Sequence, residues 1–250
     1  MFHYLQMEGW QWLLAATGVF MIGMGKAGLK GMDMLSVTLM AIVFTSKGST
    51  GVVLPLLCIA DIAAVWFYKR HVRWEYFFRL IPWMLIGILI GVWAGNQMQE
   101  LLFRKIMAAI IIITILLVVI VEFRLKQGVP HHPVFAGTVG LMAGFTTMMG
   151  NLAGAFANIY FLAMRTPKND FIGTTAWIFL CVNLFKLPFQ VFVWKNIHIS
   201  TLTTDLMLVP ILGIGFWTGL KCVGILNEQV FRKVVIGLTI VGGVIMLMRN

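Results

Sequence analysis

The sequence predicts an all-α polytopic membrane protein built from two inverted structural repeats, each a broken or re-entrant helix pair followed by three transmembrane helices. Three observations predict it: an apolar composition, an internal match at constant spacing, and a pair of glycine-bearing breaks at corresponding places. Of the 250 residues, 60% are hydrophobic and 11% charged, with a mean hydropathy of +0.93. A water-soluble domain needs far more charge on its surface than this. Runs such as 101–123 and 230–248 reach the roughly twenty apolar residues needed to cross a hydrocarbon core of about 30 Å. The first 25 residues carry neither a basic leader region nor a clear cleavage site, so the first span is expected to be retained.

The internal match sets residues 80–105, LIPWMLIGILIGVWAGNQMQELLFRK, against 208–233, LVPILGIGFWTGLKCVGILNEQVFRK. At a constant offset of 128 and without a gap, nine of the 26 positions are identical, including Pro82 and Pro210, Gly87 and Gly215, Gly91 and Gly219, and Glu100 and Glu228. Such self-similarity is the mark of a repeat. With small gaps it extends upstream, pairing Thr45 with Thr166, Lys47 with Lys168, Gly51 with Gly173 and Asp61 with Asn183. The halves are 1–123 and 134–250, joined by the polar, proline-bearing linker RLKQGVPHHP at 124–133. Each half opens with an interrupted apolar stretch: 10–24, the break GKAGLKG at 25–31, then 32–44; and 134–149, the break GNLAG at 150–154, then 155–164. Longer spans follow near 49–69, 76–97 and 101–123, and near 170–194, 202–224 and 229–248.

Charge chooses the topology. If each broken segment crosses the membrane once, the flanking Lys and Arg divide almost evenly between the two sides. If it goes in and returns, Lys69, Arg70, Arg73, Arg79, Arg124, Lys126, Arg165, Lys168, Arg232 and Lys233 share one side. Lys47, Arg104, Lys105, Lys195 and Arg249 then take the other. The positive-inside rule favours this ten-to-five split, with both termini outside and the halves inverted. The formal net charge of +10 therefore reports loop asymmetry and not nucleic-acid binding, which gathers basic residues on one hydrophilic face. Cys58, Cys181 and Cys222 all fall in apolar spans and form neither a disulfide framework nor a CxxC metal motif.

Unwound backbone at membrane depth survives only where it lines a cavity or is buried in protein. Paired breaks in inverted repeats mark substrate sites, where helix N-termini turn partial positive charge toward anions. The first break supplies Lys26 and Lys30 among Gly25, Gly28 and Gly31, a mixture suited to close approach of a small anion; an ordinary positive surface loop is the alternative reading. The second break, with Gly150, Asn151 and Gly154, carries no cation, but Asn151 and Asn158 offer amide donors. Asp61, Asn183 and Lys186 lie inside spans, where ionisable groups are costly and mark function. Asp61 is either an ion-coupling carboxylate, the counter-ion of Lys30 or Lys186, or half of a structural ion pair. Asp33 suits the start of the half-helix after the first break.

Other features read as architecture. Gly87, Gly91 and Gly95, with Gly215 and Gly219, make small-residue packing seams. Pro82 and Pro210 are expected to kink their helices. Glu100 and Glu228 suit first turns, and Arg104, Lys105 and Lys221 can snorkel. Trp10, Trp12, Trp74 and Trp194 sit near span ends, as interfacial anchors do. The methionines show no metal-binding spacing and serve as core filler.

The stretch GNLAGAFANIYFLAMRTPKNDFIGTTAWIFLCVNLFKLPFQVFVW at 150–194 resembles the sulfite exporter TauE/SafE family of permeases. The run PKNDFIGTTAW followed by VNLFKLP is its most specific part and looks like one bacterial branch, while the two-half layout covers essentially the whole chain. The first break, GKAGLKGMDML, is poorer in glycine than the form common in the family. The resemblance implies a bacterial inner-membrane carrier of small sulfur-containing anions such as sulfite, sulfoacetate or another organosulfonate, in either direction. It also implies that the break glycines, Asn158, Thr174, Asn183 and Lys186 occupy patterned site positions.

The leading expectation is thus a secondary carrier with a midplane anion site and no cofactor. No Walker A motif points to an ATPase, so an ion gradient is the default drive, with Asp61 the first coupling candidate. An intramembrane enzyme is disfavoured because His3, His71, His131, His132 and His198 all fall in flanks or loops, and no catalytic or metal-binding set emerges. A metal-cation transporter would need converging acids, histidines or thiols, whereas the break carries lysines. The glycine seams permit a homodimer without requiring one.

Overall fold

The computed structural model describes residues 7–44, 46–99, 101–103, 105–106, 109–110, 113, 116 and 133–248. Its helices are α1 (Gly9–Lys26), α2 (Met32–Val43), α3 (Ser46–Tyr68), α4 (Trp74–Gln97), α5 (Pro133–Gly150), α6 (Ala153–Ala163), α7 (Lys168–Pro188), α8 (Ile199–Ile225) and α9 (Glu228–Met248). Most of the expected span at 101–123, with Glu100 and Arg104, and the linker up to His132 lie outside the described residues. Four segments are long and apolar enough to cross a membrane: Lys47–His71, Trp74–Gln97, Lys168–Val193 and Ile199–Ile225. Large apolar side chains such as Trp66, Phe78, Trp93, Phe192, Leu206 and Trp217 face outward, the reverse of a water-soluble surface. The chain is an all-α polytopic membrane protein.

Contacts fix the direction of each helix. The start of α3 meets the residues just after α7, where Asn196 Nδ2 donates to Lys47 O at 3.1 Å. The end of α3 meets the start of α7, where Arg73 N donates to Thr174 Oγ1 at 2.8 Å and Arg73 Nε to Asp170 Oδ2 at 2.5 Å. Thus α3 and α7, the first long helix of each half, run antiparallel. Within each half the broken pair folds back on itself: Gly18 of α1 lies against Leu39 and Met40 of α2, and Phe135 of α5 stacks on Tyr160 of α6 at 5.9 Å.

The halves also interleave. α1 runs parallel to α8, and α5 parallel to α4, along seams so close that glycine is required. A Cβ on Gly23 would strike Leu212 O, and one on Gly144 would strike Met84 O. Leu212 and Met84 are separated by the same 128 residues as the sequence match. Gly215 abuts Phe20 and Gly219 abuts Met24 and Ala27, just as Gly87 abuts Leu141 and Phe145 and Gly91 abuts Met148. Lysine caps repeat the pattern. Lys47 Nζ donates to Gly95 O at 2.9 Å and Lys168 Nζ to Val223 O at 3.2 Å and Leu226 O at 2.5 Å. Each ammonium thereby meets the negative end of a helix.

Basic residues lie at both ends of the described bundle. One end of the bundle joins Arg73 to Asp170, the Lys168 amide to Glu228, and Arg232 to Leu162 O; the other end holds Lys47 and Lys195 beside Trp194. Trp194 is not a lipid-facing anchor. It is buried, with its indole N–H donating to Val92 O at 3.2 Å and its ring filling the space that Gly95 leaves. It is carried inward by a π-helical turn, Phe189–Val193, directly after Pro188. The widened ladder also buries Gln190, which donates to Thr50 Oγ1 at 3.2 Å.

The seams give a direct test. Gly23→Ala and Gly144→Ala should each lower the thermal stability of the purified protein, by about 1–3 kcal/mol, because the helix pair must separate. Gly213→Ala, with nothing within 4 Å of the added carbon, should be neutral or slightly stabilising.

Candidate functional site

The first break is shorter than the sequence suggests. Gly25 and Lys26 form the last turn of α1, and the chain unwinds only over 27–31, where Gly28 (φ 128°) and Gly31 (φ 103°) take left-handed conformations. Side chains are strained there, and a Cβ on Gly28 would also meet Ile172. The turn is pinned by Tyr68 Oη donating to Ala27 O at 2.8 Å. In the second break Gly150 ends α5, Asn151 alone takes a left-handed φ of 58°, and Gly154 already lies in the first turn of α6. Asparagine tolerates that conformation better than most residues.

Between the breaks four polar side chains form one chain of contacts. Lys26 Nζ pairs with Asp61 Oδ1 at 2.7 Å. Asn183 Nδ2 donates to Asp61 Oδ2 at 2.7 Å, and its Oδ1 accepts from Lys186 Nζ at 3.2 Å. Lys186 also donates to Asn151 Oδ1 at 2.6 Å and Thr147 Oγ1 at 3.1 Å. The repeat-related Asp61 and Asn183 thus touch each other, and α1, α3, α5 and α7 are tied together at one level. Asp61 has Lys26 as an ion-pair partner, where the sequence offers Lys30 or Lys186 among its alternatives, because the last turn of α1 carries Lys26 toward α3.

Lys26, Lys30 and Lys186 are 4%, 1% and 0% exposed, and Asp61 is 0% exposed. Lys30 and Lys186 both lie within Coulomb range of Asp61. The three protons of the Lys186 ammonium are met by neutral oxygens, which satisfy its hydrogen bonds but not its charge. Lys26 and Lys30 flank the Phe179 ring, at 4.6 and 5.7 Å from its centroid, where its face adds a weak attraction.

Beside this chain lies a cavity of about 20 Å³ lined from six helices, among them by Lys26, Ser36, Thr147, Gly154, Phe179 and Asn183. Such a space holds about one water. Gly154 belongs to the first turn of α6, whose N-terminus carries no side-chain cap, so its dipole adds positive potential at the cavity wall. Polar contacts join the helices at both ends of the bundle. At one end Tyr68, His71 and Arg73 pack on Gly173, Thr174 and Asp170; at the other, Thr50, Gln190 and Asn196 share hydrogen bonds.

The structure therefore brings Lys26, Asn151, Gly154, Asn183, Lys186 and Asp61 together, with Gly25, Gly28, Gly31 and Gly150 shaping the backbone around them. Lys30 is buried beside Phe179, and Asn158 is buried within α6. Thr174 is elsewhere, six residues past the start of α7, where its hydroxyl accepts from the Arg73 amide and holds that loop. Sequence reasoning missed Ser36, Thr147 and Phe179. Thr147 had a signal: it stands 121 residues after Lys26, the offset of the Lys47 and Lys168 match. Among the described residues no group of His, Cys, Asp and Glu could hold a metal ion.

A polytopic helical membrane protein with a buried cationic site between two backbone breaks belongs to the class of membrane permeases. Residues 11–246 match the family described as TauE, sulfite exporter TauE/SafE, and the chain belongs to that family. Membership implies a permease-type transporter of sulfur anions. Comparison with curated proteins and with solved structures gave no match.

The ion pair makes a second test. Asp61→Asn should destabilise the protein by about 3–5 kcal/mol by leaving the Lys26 ammonium buried without its counter-charge. Adding Lys26→Met should restore much of that loss, read as a non-additive double-mutant cycle in thermal unfolding.

Proposed function

We propose that this chain is a secondary permease for a small sulfur-containing anion such as sulfite, sulfoacetate or another organosulfonate, bound at the cavity between the two breaks. The observation that carries the reading is a buried pair of ammonium groups, Lys26 and Lys186, of which only Lys26 is ion-paired to Asp61 while Lys186 meets neutral oxygens, beside the N-terminal turn of α6. A buried charge without compensation is costly, and an oxyanion supplies both the missing charge and acceptor oxygens. Asp61 acts as the fixed counter-ion that holds Lys26 in place. A cation substrate would meet net repulsion here.

Transport follows from the arrangement of the halves. We read them as inverted repeats, supported by the antiparallel α3 and α7 and by the equivalent seams of α1 on α8 and α5 on α4. Two nearly equivalent arrangements then expose one fixed site to opposite sides in turn. The cavity has room for about one water, so a four-atom oxyanion enters only when the walls separate. The basic-rich end, with Arg73, Arg165, Lys168 and Arg232, is assigned to the cytoplasm of a bacterial inner membrane and both termini to the periplasm.

Proteoliposomes carrying the purified protein should show saturable sulfite or sulfonate flux. Lys26→Met or Lys186→Met should reduce it by at least about tenfold, the effect of losing roughly 1.4 kcal/mol of anion stabilisation. Thr174→Val should leave flux within about twofold, since that hydroxyl touches no part of the site. Absence of saturable flux of any sulfur oxyanion or sulfonate, in both directions, overturns the assignment.

A further inference from the structure

We propose that Asp205, on α8, is the group through which this permease takes up and releases the proton that drives it; the inference rests on the permease reading above and assigns its coupling site. Asp205 is 3% exposed, and neither carboxylate oxygen has a hydrogen-bond partner. It lies on the buried stripe of α8 with Leu208, Leu212, Gly215 and Gly219, beside a cluster containing Ala15, Val19, Val52 and Leu56. The position has no acidic counterpart in the first half, where Phe77 stands 128 residues earlier.

An ionised carboxylate without partners is not stable in such a place, so this arrangement belongs to the protonated acid. Among the described residues, no cation on the helices packed on α8 pairs with it. On α1, Lys26 is committed to Asp61, and Glu8, preceding the helix, accepts from Trp10. On α3, Lys47 is held by Gly95 O and Tyr68 by Ala27 O, and Cys58 is a free thiol near Asp61. On α8 itself, His198 is exposed at the helix start, and the Thr201 and Thr204 hydroxyls donate to the carbonyls of His198 and Ser200. A sodium site would add further carboxylates beside it; among the described residues no group of acids gathers there, which favours the proton.

The coupling is mechanical. Asp205 sits about 9 Å from the start of α8 at a rise of 1.5 Å per residue, close to the end where Asn196 and Lys47 meet. Losing the proton creates a charge that must reach water, so α8 has to shift or turn. Its glycine seam binds it to α1, with Gly219 against Met24 and Ala27 on either side of Lys26. Movement of α8 therefore moves the ammonium that faces the cavity, and the proton and the anion bias one two-state element.

Two measurements decide it. In infrared spectra of the purified protein, a protonated-carboxyl band should be present in the native chain, disappear on alkalinisation and be absent from Asp205→Asn. In proteoliposomes, Asp205→Asn, neutral and nearly isosteric, should keep sulfite counterflow at equal pH within about twofold while losing accumulation driven by a pH gradient; Asp205→Glu should restore that accumulation. Gradient-driven accumulation by Asp205→Asn at the native level overturns the inference, as does loss of counterflow together with accumulation, or a carboxyl band unchanged in Asp205→Asn. If the native protein moves no sulfur anion, the permease reading fails on its own, and the infrared band alone decides whether Asp205 carries a proton.

Discussion

The contact between Asp61 and Asn183 is the constraint on which the centre of this protein depends. These residues occupy corresponding positions in the two halves and meet where α3 and α7 cross in opposite directions. Two identical residues could not do the same work. Two carboxylates would repel, and two amides would leave Lys26 without a counter-charge. One acid and one amide let Asp61 pair with Lys26 on one side while Asn183 offers its carbonyl to Lys186 on the other. The amide is thus a polar relay between two cations that would otherwise face each other directly.

The rest of the architecture serves that crossing. Glycine seams allow α1 to lie on α8 and α5 on α4 at backbone contact, which sets the depth at which Lys26, Thr147 and Asn151 arrive. Lys47 and Lys168 fasten the C-terminal ends of α4 and α8 to the starts of α3 and α7. The breaks differ in chemistry because their tasks differ. Gly28 and Gly31 let the chain turn beside Lys30, whereas Asn151 both makes its turn and accepts from Lys186 through the same side chain.

Much of this was legible in the sequence, for definite reasons. Hydropathy and the offset of 128 depend on residue type and spacing, so the spans and glycine seams could be read from them. The breaks were placed within a few residues; the helix ends at Lys26 instead of Met24 because two more helical residues cost little before Gly28 forces the turn. Partnerships were less legible. Lys26, Lys30 and Lys186 are equivalent as letters, and only the helical phase of α1 decides which ammonium meets Asp61. Thr174 fits the same sequence pattern as the site residues but lies two and a half turns before Asn183, too far along α7 to share its level. Trp194 has the position of a lipid anchor, yet the π-helical turn after Pro188 directs it into the bundle. Asp205 stands in no motif, and only its burial without partners distinguishes it.

The occupancy of the cavity limits how the cycle can run. On the permease reading proposed above, a space for about one water admits an oxyanion only when α3 separates from the break regions. That separation would hydrate Lys26 and Lys186 and remove much of the cost of their excess charge. Closure around an empty site restores the cost, whereas closure around an anion does not, so the anion lowers the free energy of the closed state more than that of the open ones. A permease must pass through closure to change sides, and this difference makes loaded passage easier than empty passage. On that reading, the buried Lys26 and Lys186 are the element that ties movement of the helices to the presence of an anion.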